Sequence, residues 1–119
     1  MVKSNCRINI LGSEWTIIYR DDDPAFENAH GYTDDASKEI IIENIKVDLS
    51  NPLAFDVNAQ NINQKRVLRH EILHAFLSES GLASSSSSAE SWAVNEEMVD
   101  WFARQSPKIY KVYKELKII

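Results

Sequence analysis

The stretch RHEILHAF, residues 69–76, decides how the rest of the chain is organised. It contains the pattern His-Glu-x-x-His, and in an α-helix two histidines four residues apart lie on one face. The imidazoles of His70 and His74 can then bind one Zn²⁺, with Glu71 beside the metal position as a candidate base. The sequence therefore predicts a helix that carries half of a metal site.

The predicted helix begins at a capping-box pair and ends at a glycine. Asn61 and Gln64 have the spacing of a capping box, and Gly81 follows Ser80 where the apolar pattern stops. Apolar side chains and the two histidines occupy both sides of the helix, which predicts a place in the middle of the molecule. One stripe comprises Leu68, Ile72, Ala75 and Phe76, and the other comprises Val67, His70, His74 and Leu77.

The residues before this helix predict a small sheet. Residues 7–11 and 14–20 are two strand-like runs separated by Gly12-Ser13, which is typical of a β-hairpin. Gly31–Thr33 is interpreted as a short strand. Residues 38–43 place three isoleucines between charged residues, which predicts a strand buried on both faces.

An aspartate run at residues 21–23 ends the hairpin. The glycine and the distal glutamate of a calcium loop are missing at the required spacing. The run is therefore interpreted as a solvated strand end.

A serine-rich loop and two further helices are predicted after residue 81. Ser84–Ser88 is too polar and too unpatterned to pack, which predicts a mobile loop. Ser87 and Glu90 form a second capping box, which starts a helix that runs to about Gln105. Ser106-Pro107 then begins the last helix.

These elements predict an α+β fold in a single domain of residues 1–119. We expect a small mixed or antiparallel sheet of about three to four strands, packed on a central active-site helix and followed by two further helices.

The composition is that of an ordinary globular protein, with 44% hydrophobic and 26% charged residues. The formal net charge of −5 disfavours nucleic acids and anionic membranes as partners, because both require a basic surface. Cys6 is the only cysteine, so no intrachain disulfide is expected. No signal peptide or membrane-spanning stretch is recognised. We therefore expect a cytoplasmic protein.

Zinc bound by two histidines needs at least one further protein ligand. One candidate is His30, which lies in a predicted loop. The other is Glu96, which shares a helical face with Asp100 four residues later. Asp100 could then accept the N–H of a ligand histidine and fix its tautomer. Glu97 is rotated by about 100° from Glu96 and would point elsewhere.

The motif His-Glu-x-x-His, followed by Asn-Glu-x-x-x-Asp at residues 95–100, resembles the gluzincins, the thermolysin-type zinc metallopeptidases. Residues 96–103, EEMVDWFA, are also similar to the second motif of the ImmA/IrrE-type peptidases, small intracellular zincins of mobile elements and stress responses. Val99 stands where that motif usually has alanine. The resemblance covers roughly Gly31 to Ala103.

This resemblance implies that Glu96 is the third zinc ligand, that Asp100 supports it and that Glu71 is the base in peptide-bond hydrolysis. It also implies a β-turn-β unit before the active-site helix, with the strand at Gly31–Thr33 as the upper rim of the cleft. The implied setting is a phage or another mobile element, where a relative could cleave a repressor.

Two functions fit these motifs. The first is a zinc metalloendopeptidase with a peptide or protein substrate, and the alternative is a non-catalytic, zinc-stabilised binding or regulatory module. A peptidase of this type needs a donor to the tetrahedral oxyanion. The sequence does not choose among the four candidates, which are His30, Tyr32, Tyr110 and Tyr113.

Overall fold

The computed structural model of the chain describes residues 4–45, 57–86 and 91–119. In these ranges it is an α+β protein, as predicted, with a four-stranded mixed sheet and two α-helices packed together. Neither helix in these ranges is long and apolar enough to cross a lipid bilayer. The elements are β1 (Cys6–Ile10), β2 (Ser13–Arg20), β3 (Gly31–Asp34), β4 (Glu39–Glu43), α1 (Val57–Glu79) and α2 (Glu96–Glu115), with 3-10 turns at Pro24–Glu27 and Trp92–Val94.

The sheet consists of two hairpins joined side by side. β1 pairs with β2 and β3 pairs with β4, both antiparallel, while β2 and β4 run parallel, which gives the order β1-β2-β4-β3. The predicted hairpin, the short strand at Gly31 and the isoleucine strand are all confirmed. Ile40, Ile41 and Ile42 are at most 1% exposed, so β4 is buried on both faces. β3 lies at one edge of the sheet.

The core lies between one face of the sheet and α1. Trp15, Ile17, Ile40 and Ile42 contribute from the sheet, and Val67 and Ala75 contribute from α1. α1 contacts β3, β4 and α2, so the predicted central position of that helix is confirmed. One residue of the predicted stripe differs, because Phe76 is 39% exposed.

The predicted start of α1 is wrong. The helix begins at Val57, four residues before the expected capping pair of Asn61 and Gln64. Gln64 is buried, and its side-chain amide donates to the backbone carbonyl of Glu43, so it joins α1 to the end of β4. The end of the helix is confirmed to within one residue, and Gly81 follows it with a φ of +84°, which glycine adopts without strain.

The predicted boundaries of the later helices also change. The expected capping box of Ser87 and Glu90 and the end of the serine run lie outside the described residues. α2 begins at Glu96, where the side chain of Asn95 accepts the backbone N–H of Met98. The expected break at Ser106-Pro107 is wrong, because α2 continues through Pro107 as one helix.

A hydrogen bond from α1 explains how α2 tolerates its internal proline. Pro107 has no N–H, so the carbonyl of Ala103 loses its usual helical donor. The side chain of Arg69 donates from Nε to that carbonyl at 2.6 Å. The bond satisfies the carbonyl and joins α1 to α2 within one residue of His70.

The aspartate run is solvated in part. Asp21 and Asp22 are exposed, as predicted, but the carboxylate of Asp23 accepts hydrogen bonds from the backbone of Ala25, from Arg20 and from the hydroxyl of Tyr32. These donors hold the pKa of Asp23 below its usual value, with the Ala25 N–H contributing most.

Glu79, the last residue of α1, joins that helix to the sheet. Its carboxylate accepts hydrogen bonds from the indole of Trp15 at 2.7 Å, from the hydroxyl of Ser13 at 3.1 Å and from the ammonium of Lys38. The pKa of Glu79 is lowered by these partners, first by Lys38 and then by Trp15.

We expect Glu79→Gln to lower the melting temperature by a few degrees at pH 7, because the buried indole of Trp15 loses a charged acceptor. The pKa of Glu79 in the folded state is below its usual value of 4.5, so this stabilisation is complete above pH 4.5 and disappears as pH falls through the folded-state pKa. The melting temperatures of the wild type and of Glu79→Gln, measured by circular dichroism, should therefore approach each other as the pH is lowered. Glu14→Gln is the control, since Glu14 pairs with Arg7 on the exposed surface. Equal effects of the two substitutions at pH 7 would contradict this role of Glu79.

Candidate metal centre

His70 and His74 lie one turn apart on α1, where that helix faces the start of α2. Their Nε2 atoms are 3.2 Å apart, and both side chains are mostly buried. The first residue of α2, Glu96, places its Oε2 atom 2.9 Å from Nε2 of His70 and 3.3 Å from Nε2 of His74. The structure thus brings together the two histidines and the glutamate that the sequence singled out.

These three atoms fit the ligand set of zinc. Ligand atoms on a tetrahedral ion at about 2.0–2.1 Å are about 3.3–3.4 Å from one another, close to the separations of 2.9–3.3 Å in this group. When both imidazoles are neutral and protonated at Nδ1, their Nε2 lone pairs and the carboxylate oxygen face one another, and one cation can bind all three. Two histidines and one glutamate also leave a fourth position open, as catalytic zinc sites do.

Asp100 lies behind His70 as predicted. Its Oδ1 atom is 3.4 Å from Nδ1 of His70, an arrangement that favours the tautomer whose Nε2 lone pair faces Glu96. Asp100 also accepts hydrogen bonds from Arg66 and Arg104, each at 2.7 Å. The pKa of Asp100 is lowered, chiefly by its hydrogen bond with Arg104. The sequence did not single out either arginine, because the contacts depend on how the two helices pack.

Glu71 lies beside this group without joining it. Its side chain is buried, and its Oε2 atom is 4.0 Å from Nε2 of His70. Its Oε1 atom accepts a hydrogen bond from the hydroxyl of Thr33 at 2.9 Å. Sequence reasoning missed this role of Thr33, since 38 residues separate the two side chains and no local pattern marks the pair.

His30 does not join the group of ligand atoms. Its Nδ1 atom lies 3.0 Å from the carboxylate of Glu43, and its side chain is exposed. Of the two candidates for a third ligand, Glu96 is therefore the one beside His70 and His74. Glu97 is exposed and lines a separate hollow next to Trp101, so it points away from the ligand group, as its rotation from Glu96 predicted.

A cleft of about 520 Å³ opens between β3 and α1 at this group. Tyr32 lines the cleft, but its hydroxyl donates to Asp23, and burial raises the pKa of that phenol. Tyr110 and Tyr113 are exposed in the later part of α2 and do not line it. Of the four oxyanion candidates, all of which lie in the described ranges, Tyr32 is the one that lines this cleft, and its hydroxyl already donates to Asp23. The lining residues are Ala29, Gly31, Tyr32, Thr33, Asp35, His70, Glu71, His74, Ser78, Ala83 and Glu96.

No family model, curated protein or solved structure matches this chain. Functional assignment therefore depends on the residues of the cleft and on their geometry.

Proposed function

We propose that this protein is a zinc-dependent metallopeptidase that hydrolyses peptide bonds. The observation that carries the proposal is the convergence of His70, His74 and Glu96 beside the buried carboxylate of Glu71. The resemblance of the two helical motifs to those of gluzincins and ImmA/IrrE-type peptidases supports the same function.

Different residues of the cleft have separate roles in the proposed hydrolysis. Zinc held by His70, His74 and Glu96 would supply a Lewis acid that polarises a carbonyl and acidifies water. Glu71 accepts the proton of the attacking water and then delivers it to the leaving amine. Asp100 keeps His70 in the tautomer that a metal ligand requires.

The edge strand β3 offers a docking site for an extended peptide. The backbone N–H of Glu43 donates to the carbonyl of His30, and hydrogen-bonded pairs alternate along an antiparallel ladder. Gly31 and Thr33 therefore direct their N–H and C=O groups away from β4, toward the open edge that borders the cleft. A peptide that pairs with these groups would add as a further strand beside Glu71.

The proposed setting is the cytoplasm, with a peptide or protein as substrate and no nucleic acid as partner. The resemblance to the ImmA/IrrE-type peptidases favours a regulatory protease of a phage or another mobile element. The net charge of −5 agrees with a partner other than nucleic acid.

Cleavage of a diverse peptide library by the zinc-loaded protein tests the proposed function. Mass spectrometry of the products should show new peptide termini that require both zinc and Glu71, with Glu71→Gln as the parallel control. If zinc binds but no peptide in the library is cut, the result would favour the zinc-stabilised binding module instead.

Asp100→Ala should weaken zinc binding by about 10–100-fold, because His70 loses the acceptor that orients its ring. Competition with a chromogenic chelator measures the change in affinity. Glu97→Ala is the matched control on the same helix and should leave the affinity unchanged. Equal affinities for wild type and Asp100→Ala would show that Asp100 does not support the ligand.

A further inference from the structure

Thr33 lies between the open edge of β3, where a peptide is proposed to dock, and Glu71, the proposed base on α1. Its backbone lies on the open edge of β3, and its side chain faces α1, where the hydroxyl contacts Glu71. No other residue in the described ranges hydrogen-bonds to the side chain of Glu71.

The hydroxyl of Thr33 holds one oxygen of the Glu71 carboxylate. It lies 2.9 Å from Oε1 and 3.0 Å from the backbone carbonyl of Glu71, and its single proton serves one of these acceptors at a time. The other carboxylate oxygen, Oε2, is the one on the side of His70. Oε2 is therefore available to accept a proton, while the hydrogen bond to Oε1 fixes the orientation of the Glu71 carboxylate.

The absence of a side chain at Gly31 allows the hydrogen bond between Thr33 on β3 and Glu71 on α1 to form. A Cβ atom at that position would lie 2.9 Å from the carbonyl oxygen of Ile41 and 3.1 Å from Cγ1 of Val67. The missing side chain lets β3 approach α1 closely, and two residues further on the Thr33 hydroxyl reaches Glu71.

We propose that Thr33 is a positioning residue that couples peptide docking on β3 to the orientation of Glu71. This inference rests on the proposed peptidase function. A peptide that pairs with the backbone of Thr33 restrains the same residue whose hydroxyl holds Oε1. Binding energy from peptide residues outside the scissile bond then aligns the base, so it raises kcat rather than only lowering KM.

The test uses peptides of increasing length around one scissile bond with three proteins, namely wild type, Thr33→Val and Thr33→Ser. Wild-type kcat should rise with peptide length as pairing extends over Gly31 and Thr33. Thr33→Val keeps the side-chain shape and strand propensity but lacks the hydroxyl. Its kcat should fall at least about tenfold with little change in KM and should no longer depend on length, because the base has lost its orientation. Thr33→Ser should restore both kcat and its length dependence.

A second readout does not require turnover. Thr33→Val, Glu71→Ala and the double variant form a mutant cycle for the melting temperature of the zinc-free protein. The loss in the double variant should be smaller than the sum of the single losses, since each substitution removes the same hydrogen bond. Zinc affinity should be unchanged in Thr33→Val, which also verifies that the variant is folded.

The outcomes separate this inference from the function on which it rests. If the wild-type protein cuts peptides and Thr33→Val has the same kcat and the same dependence on peptide length, the proposed coupling is wrong. The proposed peptidase function would not be affected by that result. Additive melting losses in the cycle would likewise overturn the coupling. A wild-type protein that cuts no peptide would remove the proposed function first and this inference with it.

Discussion

Glu71→Gln should reduce peptide hydrolysis to a small fraction of the wild-type rate and leave zinc binding intact. Glutamine has the shape of glutamate and can still accept the hydrogen bond from Thr33, but it cannot accept the proton of the attacking water. General acid–base catalysis by a positioned side chain contributes about 10²–10⁴-fold, so kcat should fall by that factor. The metal ligands are unchanged, and one equivalent of zinc should remain in the purified variant.

Single-turnover cleavage assays and elemental analysis of the same samples check both halves of this expectation. Glu97→Gln provides the control, because Glu97 is exposed and lines a different hollow from the cleft. A Glu71→Gln variant that cuts at the wild-type rate would contradict the role of Glu71 as the base. Loss of zinc from this variant would contradict its position outside the ligand set.

Glu96→Ala should weaken zinc binding more than any substitution outside the three ligands. The variant loses the only carboxylate that lies within 3.3 Å of both histidine Nε2 atoms in the described structure. Zinc at 100 times its dissociation constant stabilises a folded protein by about 2.7 kcal/mol, which corresponds to a rise of about 10 °C in melting temperature for a domain of this size. Glu96→Ala should lose most of that rise.

Glu97→Ala is the matched control, since it removes the same side chain from the neighbouring position of α2. Its zinc-dependent rise in melting temperature should equal that of the wild type. His30→Ala should also behave as wild type, because His30 contacts Glu43 instead of the ligand group. If His30→Ala lost the zinc-dependent rise and Glu96→Ala kept it, the third ligand would be wrongly assigned.

Local patterns in the sequence were sufficient for the elements that carry the site. Alternation and β-branched residues predicted the first hairpin, and the run of isoleucines at residues 40–42 predicted the strand buried on both faces. The four-residue spacing of His70 and His74 predicted their shared helical face, and the spacing of Glu96 and Asp100 did the same on α2. These features follow from helical and strand periodicity, which is a property of neighbouring residues.

The errors arose where distant contacts decide the structure. The capping-box pattern at Asn61 and Gln64 misplaced the start of α1, because Gln64 bonds to the end of β4 instead of capping the helix. The proline rule misplaced the end of α2, because Arg69 satisfies the carbonyl that Pro107 leaves without a donor. The hydrogen bond between Thr33 and Glu71 was missed for the same reason.

An anomalous difference map of a crystal grown with zinc, recorded at the zinc absorption edge, tests the metal centre most directly. The peptidase proposal predicts a single strong peak bounded by Nε2 of His70, Nε2 of His74 and the carboxylate of Glu96, with Glu71 outside bonding distance. Crystals that take up zinc elsewhere, or that show no peak between these three side chains, would contradict it.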